Sequence, residues 1–400
     1  MDIRIIPNKT DVDCRSLNEE WLLLINREKI TTNIGTGIVP FSRIYYYTYN
    51  VKRNVREEIL PDVSKYEVAH FSFAEKNCPY LYYFTINFDH YPNSTFTLFR
   101  YNAQDMTCSE VYRYEDNLKE YVLSKHLSVF VLNENYIIMQ FEYLKEMASG
   151  ISGYYEYASF LYDISTGKKH QIRQDNIEKY GLQTILPIVP NVCALKIGYP
   201  VLPQGAGKER LTKEEAAQEE LCLVTISQFI SDIIIGSKGL TRELIDSVYY
   251  EESILHVKRH GKYLIYTKAR LFDNSVDTVF YQFSTKEVLV VRKENASGKE
   301  DNSSFFSLAG RPCVAHYTSK LLEILDVKNK EILLRLPKDS EIVDILHDYI
   351  VLQIGKKGLI TAQKTYEIYQ YPSVKLVSKL KSESLKCISQ TASDINLLTK

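Results

Sequence analysis

Chemistry in this chain would have to come from its histidines, its cysteines or its few glycine-rich turns, and spacing decides each case. Gly205-Ala206-Gly207-Lys208 ends like a phosphate-binding loop, in which backbone N–H groups and a lysine cradle anionic oxygens. The opening glycine falls on Leu202, and Glu209 stands where a magnesium-binding Ser or Thr is needed, so the loop reads as surface. Gly150-Ile151-Ser152-Gly153-Tyr154 begins like a nucleophile elbow, but Tyr154 replaces the small closing residue that the strained turn requires. His256 and His260 have the i, i+4 spacing of helical zinc ligands, yet they lie on a strand, where that spacing is about 13 Å. Val257 stands where the glutamate of a helical zinc protease would be. The seven cysteines (14, 78, 108, 193, 222, 313 and 387) are scattered without a C-x-x-C, so they outline neither a disulfide framework nor a zinc site. Asp11-Val12-Asp13 lacks the glycine and distant glutamate of a calcium loop. No catalytic, cofactor-binding or metal-binding residue follows from any motif, and no cofactor is expected.

Bulk composition narrows the class. With 49 Lys+Arg against 50 Asp+Glu the net charge is −1. The halves balance as well: residues 1–200 hold 21 basic and 24 acidic side chains, leaving 49−21=28 and 50−24=26 for the rest. A general nucleic-acid binder would show a basic excess. The skew is local, with eight lysines against three acids over 356–400. No run of 18 apolar residues spans a membrane: Leu221–Gly236 is broken by Thr225, Ser227, Gln228, Ser231 and Asp232. The N-terminal residues lack a signal-peptide core. A soluble, cytoplasmic chain with reduced thiols is expected.

The elements that must position any site are strands. Tyrosine is abundant (31, with 16 Phe against 1 Trp), and aromatic residues favour strands. Runs of five to nine apolar or alternating residues recur, such as Tyr80–Phe88, Tyr136–Tyr143, Ala158–Ile164 and Tyr349–Ile354, with few 3.6-period segments between them. That order argues for antiparallel β structure and against βαβ units. Stacking the runs reveals a repeat of strand, polar turn and strand: residues 160–172, 279–291, 322–334 and 366–378, with weaker copies at 46–59, 97–112 and 223–235. Taking Asn50, Asn102, Asp163, Thr225, Gln282, Asp326 and Gln370 as turn markers, the gaps are 52, 61, 62, 57, 44 and 44 residues. A second strand pair precedes each hairpin, turning at Asn133-Glu134-Asn135 or His260-Gly261, for example. Each unit is therefore four strands, the content of one propeller blade.

This layout resembles the β-propeller superfamily of the WD-repeat-like kind over most of the chain, without its Gly-His and Trp-Asp signatures. The resemblance implies an all-β, seven-bladed β-propeller, with six or eight blades as the margin and short helices in the loops of one face. The expected single domain is 1–380, with blades near 15–60, 67–114, 127–174, 184–236, 252–292, 303–337 and 341–380 and a polar tail at 381–400. Asp2–Pro7 could close the ring against the last blade. A single tryptophan excludes the repeated Ser-x-Asp-x-Gly-x-Thr-Trp turns of sialidase-type propellers.

Most tyrosines are expected to fill the wedges between blades, as in Tyr45–Tyr47 with Tyr49, and Tyr80 with Tyr82-Tyr83. Two second-to-third-strand connections are long: Leu144–Glu156 in blade three and Val201–Glu219 in blade four, where Thr212 and Glu215 form a capping box. Connections at Glu115–His126, Arg173–Gln183 and Gly236–Glu251 are also long enough for a short helix. Long loops in compact domains usually serve a function or stay disordered. The expected function is a non-catalytic protein-interaction platform that binds a protein partner through this face of blades two to five. The expected contact residues are Tyr154, Tyr155, Tyr157, Met147, Lys208 and Arg210. The alternative is a propeller hydrolase or lyase acting on carbohydrate or peptide, with carboxylates at the central channel.

Overall fold

Turn chemistry sets the repeat. Met106, Gly167, Lys286, Lys330 and Val374 all have positive φ, and each lies four residues after a turn marker. The amides of Gly167, Lys286 and Lys330 donate to the carbonyls of Asp163, Gln282 and Asp326 at 2.8–2.9 Å. A left-handed residue there lets a two-strand connection close with a bulge whose twist matches its strands. Aspartate markers add a second clasp. Asp163 Oδ1 accepts from the amides of Ser165 and Thr166, and Asp326 Oδ1 from those of Lys328 and Asn329. Hydrogen bonding from the Ser165 side chain is the main cause that holds the Asp163 carboxyl below the usual range.

The computed structural model describes residues 2–7, 12–16, 21–34, 37–50, 53, 55–58, 71–72, 80–87, 93–102, 105–117, 126–146, 153–174, 177, 181–198, 218–249, 252–270, 275–293, 304–317, 321–337, 340–346, 348–355, 364–383, 385–390 and 394–399. Seven antiparallel four-stranded sheets, each ordered as in the chain, make it a seven-bladed β-propeller. Blade one is Val12–Ser16, Trp21–Ile34, Gly37–Asn50 and Val55–Glu58; blade two is Phe71–Ser72, Tyr80–Asn87, Asn93–Asn102 and Thr107–Asn117. Blade three is His126–Val131, Tyr136–Glu146, Gly153–Asp163 and Lys169–Gln171; blade four is Leu182–Val189, Val192–Ile197, Gln218–Thr225 and Glu243–Tyr249. Blade five is Glu252–His260, Tyr263–Arg270, Val276–Gln282 and Val288–Lys293; blade six is Ser304–Leu308, Arg311–Tyr317, Leu321–Asp326 and Glu331–Pro337. Blade seven is Ser340–Leu346, Tyr349–Ile354, Lys364–Gln370 and Lys375–Ser382.

The chain packs as two units, Val12–Ser247 and Val248–Lys400 with Met1–Asp11. In the first, Tyr82 and Leu98 of blade two pack with Val129, Ile137 and Met139 of blade three. Tyr82 is fully buried, and Tyr162 of blade three donates its hydroxyl to the Val111 carbonyl of blade two at 2.9 Å. Tyr80 and Tyr82 thus pack against blade three, as expected of the second tyrosine cluster. Gln140 joins blade three to blade four: its Nε2 donates to the Leu182 carbonyl at 2.8 Å and its Oε1 accepts from the Leu182 amide at 2.6 Å. In the second unit, Phe280 and Leu289 of blade five pack with Phe305 of blade six, and Leu322 and Ile324 of blade six with Ile350 and Leu352 of blade seven.

Two segments differ from expectation. Residues 223–235 do not form a hairpin: the third strand of blade four ends at Thr225, and Ile226–Ile235 is an α-helix, α1. Ile226, Phe229, Ile230 and Ile233 are its buried apolar residues, an i, i+3, i+4, i+7 stripe that outweighs the β-branched composition. Its first turn is capped from the first hairpin of the blade, where the Asn191 carbonyl accepts from the Ile226 amide and Asn191 Oδ1 from the Ser227 amide. Gly236, at φ 75, ends it. The helix stands at the third-to-fourth-strand end of the blade. The insertion at 199–217, with its capping box at Thr212 and Glu215, lies outside the described residues, and Gln218 opens a strand.

The second difference lies at 381–400, read above as a polar tail. Leu385–Gln390 and Asp394–Thr399 are strands, and Asp2–Pro7 pairs in parallel with the latter, from Asp2↔Asp394 to Pro7↔Thr399. Asp2–Pro7 thus pairs with this added sheet and not with blade seven itself. Leu385 is buried against Tyr349, Val351, Tyr366 and Ile368 of blade seven. A three-stranded sheet therefore follows the seven full blades.

Two substitutions test this account. Val374 is a β-branched residue at φ 51 and 39% exposed, so Val374→Gly should raise stability by about 1 kcal/mol in chemical denaturation. Gln140→Ala leaves both polar groups of Leu182 unpaired and should cost about 2–4 kcal/mol by the same measurement.

Candidate functional site

The inserted connection of blade three is mostly hairpin. Strand pairing runs on to Glu146↔Gly153, four pairs past His126↔Glu142, where the first strand of the blade stops, and only 147–152 lies between the two strands. Tyr157 pairs with Glu142, Tyr155 with Leu144 and Tyr154 with Lys145, so these tyrosines occupy an extended ladder and not a loop. Met147, Lys208 and Arg210 lie outside the described residues.

Blade one carries a longer version that sequence reasoning missed. Its middle strands pair through fourteen rungs, from Trp21↔Asn50 to Ile34↔Gly37. The first strand covers only Leu22–Asn26 and the fourth only Tyr47–Asn50. Among the described residues, 27–34 and 37–44 pair only with each other, so a two-stranded arm runs about 26 Å beyond the sheet. The available signal was β-branched residues continuing up to both sides of Gly35-Thr36-Gly37.

A different cluster lies on the first strands of blades five, six and seven, in the second unit. Pairing slips between Leu255 and Lys258 in blade five, where His256 takes φ 52, and between Ile342 and Asp344 in blade seven. Bulges of this kind re-aim the side chains that follow them. Here those residues are Lys258 and Asp344. Asp344 is half-buried; burial pushes its carboxyl up, opposed by the hydrogen bond its Oδ1 accepts from the Ile345 amide at 2.7 Å and by the charge of Lys258. Lys258 is accessible to water, yet burial among neighbouring protein pulls its pKa down, with Asp344 opposing.

His260 is half-buried and locks this seam. Its Nδ1 accepts from the Ser307 amide of blade six at 3.1 Å, and the ring also hydrogen-bonds to the backbone at Ile345 of blade seven. One neutral imidazole, acceptor on one nitrogen and donor on the other, thus ties three blades together. Gly261 beside it, at φ 58, lies so close to blade six that a Cβ would meet Ser307 Oγ at 3.3 Å. Burial, then the Lys258 charge, lower the pKa of His260 to about 4. His256 thus lies within the bulge and His260 beyond it. Among the described residues, no group of three or more His, Cys, Asp or Glu is placed to hold a metal. Cys193, Cys222 and Cys313 are free and buried, their thiols pushed up to about 12 chiefly by burial.

No protein-family model matches the chain, and no curated protein matches it in sequence. Solved structures overlap it at low identity. One is an oligogalacturonate lyase in complex with manganese, at 11% identity and TM-score 0.45, covering 92% of this chain and 98% of that one. Another is the β-propeller domain of the trilobed protease from Pyrococcus furiosus, at 8% and 0.43, covering 92% and 97%. A third is a prolyl endopeptidase, at 11% and 0.45, where the overlap covers 90% of this chain and 47% of that one. Among the described residues, no helix is long and apolar enough to cross a membrane.

The His260 seam predicts a pH response. Its folded pKa lies below the unfolded 6.5, so the unfolded chain binds the extra proton between about pH 6.5 and 4, and stability falls as pH drops through that window. The full effect is about 3 kcal/mol. Denaturation of wild type and His260→Asn across this range should show the slope shrinking in the variant, whose Oδ1 can still accept from Ser307.

Proposed function

We propose that this protein is a non-catalytic interaction platform that binds a protein partner through the second-to-third-strand end of its blades, with blades two to five as the principal surface. The contact residues in this reading are Tyr154, Tyr155, Tyr157 and Met147 from blade three and Lys208 and Arg210 from blade four. The observation that carries it is the projection of paired strands past their own sheets at this end of blades one and three. A two-stranded ribbon is marginally stable alone and adds little to a core. Its length therefore has no folding rationale, whereas a rigid pair of strands with open edges suits contact with another protein. Tyrosines on such a ribbon supply broad contact area with a polar tip.

A propeller hydrolase or lyase with carboxylates at the central channel is the second reading. The half-buried Asp344 favours it, although a lysine and not a second carboxylate faces that group.

The test is affinity capture from the native host with three proteins: wild type, a deletion of Ala206–Glu219, and a variant in which Lys29–Ser42 is replaced by Asn-Gly. Partners retained by wild type should be lost or weakened in at least one variant, with unfolding temperatures near wild type. An unchanged partner set in both variants would overturn the proposal.

A further inference from the structure

The outer hairpins of blades five, six and seven, all in the second unit, carry a basic excess out of keeping with a chain of net charge −1. From each turn marker to the end of the fourth strand, residues 283–293, 327–337 and 371–382 hold nine Lys and Arg against two Asp and Glu. The same stretches of blades one to three, residues 51–58, 103–117 and 164–171, hold six of each. Seven of the nine cations are lysine. Lys286, Lys330, Lys375 and Lys381 are exposed. Part of the charge is met on the protein itself. Lys328 pairs with Glu287 at 2.7 Å, Arg335 with Glu323 at 3.0 Å and Lys379 with Glu367 at 2.8 Å. The first of these pairs joins the hairpins of blades five and six, which therefore lie side by side. Leu334 and Leu336, from the fourth strand of blade six, share a core with Ile350 and Leu352 of blade seven, and Tyr371 at the blade-seven hairpin packs against it. The three hairpins are thus consecutive neighbours.

Aliphatic side chains are interleaved with these cations. Val288, Ile332 and Leu376 each lie six residues after a turn marker, and all three are exposed. The same position is Arg56, Cys108 and Lys169 in blades one, two and three. Val290, Val374 and Val377 add to them, so six of the thirteen large hydrophobic side chains exposed among the described residues stand on these three hairpins. Lysine on an edge strand guards against pairing with another chain. That role accounts for the lysines and leaves the aliphatics without one, since apolar surface gains nothing by facing water. We propose that the outer hairpins of blades five to seven form a docking surface for an anionic lipid membrane. The lysines meet the headgroup charge, and the aliphatics enter the boundary between headgroups and acyl chains. A protein partner fits less well, because protein interfaces are depleted of lysine. A nucleic acid would use the cations and not the aliphatics, and the aromatic residues of these stretches, Phe283 and Tyr371, are half-buried and not presented for base stacking. This surface goes beyond the partner-binding face proposed above and does not rest on it.

Cosedimentation of the full chain with vesicles tests this, using phosphatidylcholine alone or with about 30% phosphatidylserine at about 0.1 M salt. Wild type should bind the anionic vesicles and not the neutral ones. A variant combining Lys286→Asn, Lys330→Asn and Lys375→Gln removes one charge from each blade, and its affinity should fall about 100-fold. Asparagine tolerates the left-handed backbone at Lys286 and Lys330. A second variant, Val288→Ser with Ile332→Ser and Leu376→Ser, keeps every charge and should bind about tenfold more weakly. Lys375→Gln and Leu376→Ser, each alone at an exposed position, should give losses of about fivefold and twofold, and they stand in if a triple variant fails to fold. Absence of wild-type binding to the anionic vesicles would overturn the proposal, as would unchanged binding in either variant. A single-stranded oligonucleotide held more tightly than the vesicles, through the lysines and without regard to the aliphatics, would overturn it in favour of nucleic acid.

Discussion

Among the described residues the blades share no backbone ladder with one another, and the rest of this structure depends on how that gap is bridged. Within a sheet every strand is fixed by its hydrogen bonds. Between sheets only side chains are available, and a seam that is merely apolar has no register. The protein answers with polar side chains that behave as pieces of backbone. Gln140 offers its amide to both polar groups of Leu182, as a neighbouring strand would. Tyr162 reaches the Val111 carbonyl, and His260 accepts from the Ser307 amide. Gln140 is buried, which raises the penalty for leaving its partners unpaired. Register between blades is thereby set at a few points, and the aromatic wedges fill what remains.

Much of this was legible in the sequence, for a physical reason. Hairpin turns are local: the marker residue, the turn formers and the left-handed residue all lie within five positions, so Asp163 and Asp326 announce their turns directly. Seam residues are not local. Nothing near Gln140 points to Leu182, forty-two residues on. The helix at Ile226–Ile235 was hidden because isoleucine-rich composition suggests a strand, and only its 3.6-residue spacing reveals the buried stripe. The arm on blade one was hidden because strand length is not written in alternation alone. The sheet at the termini was hidden because it joins residues from opposite ends of the sequence.

The candidate sites fall at two different levels of this architecture. The extended hairpins of blades one and three lie outside the seams and leave them unaffected. Lys258 and Asp344 lie within one, beside the histidine that holds it. That seam is sensitive to acid, because a proton added at His260 would break the acceptor bond to Ser307.

The parallel pairing of Asp2–Pro7 with Asp394–Thr399 has a consequence for biosynthesis. The first strand leaves the ribosome almost the whole length of the described chain ahead of its partner, and domains fold as the chain emerges. For all that time Asp2–Pro7 presents unpaired N–H and C=O groups, the kind of strand that recruits others. Asp394–Thr399, once made, must find it by closing a loop that spans every blade, although loop entropy grows only slowly with length. The blades that form in the interval shorten the search, because they bring the two ends toward each other before the last strand exists. Assembly of this sheet is therefore the latest event in folding, and the protein is most exposed to misassembly just before it.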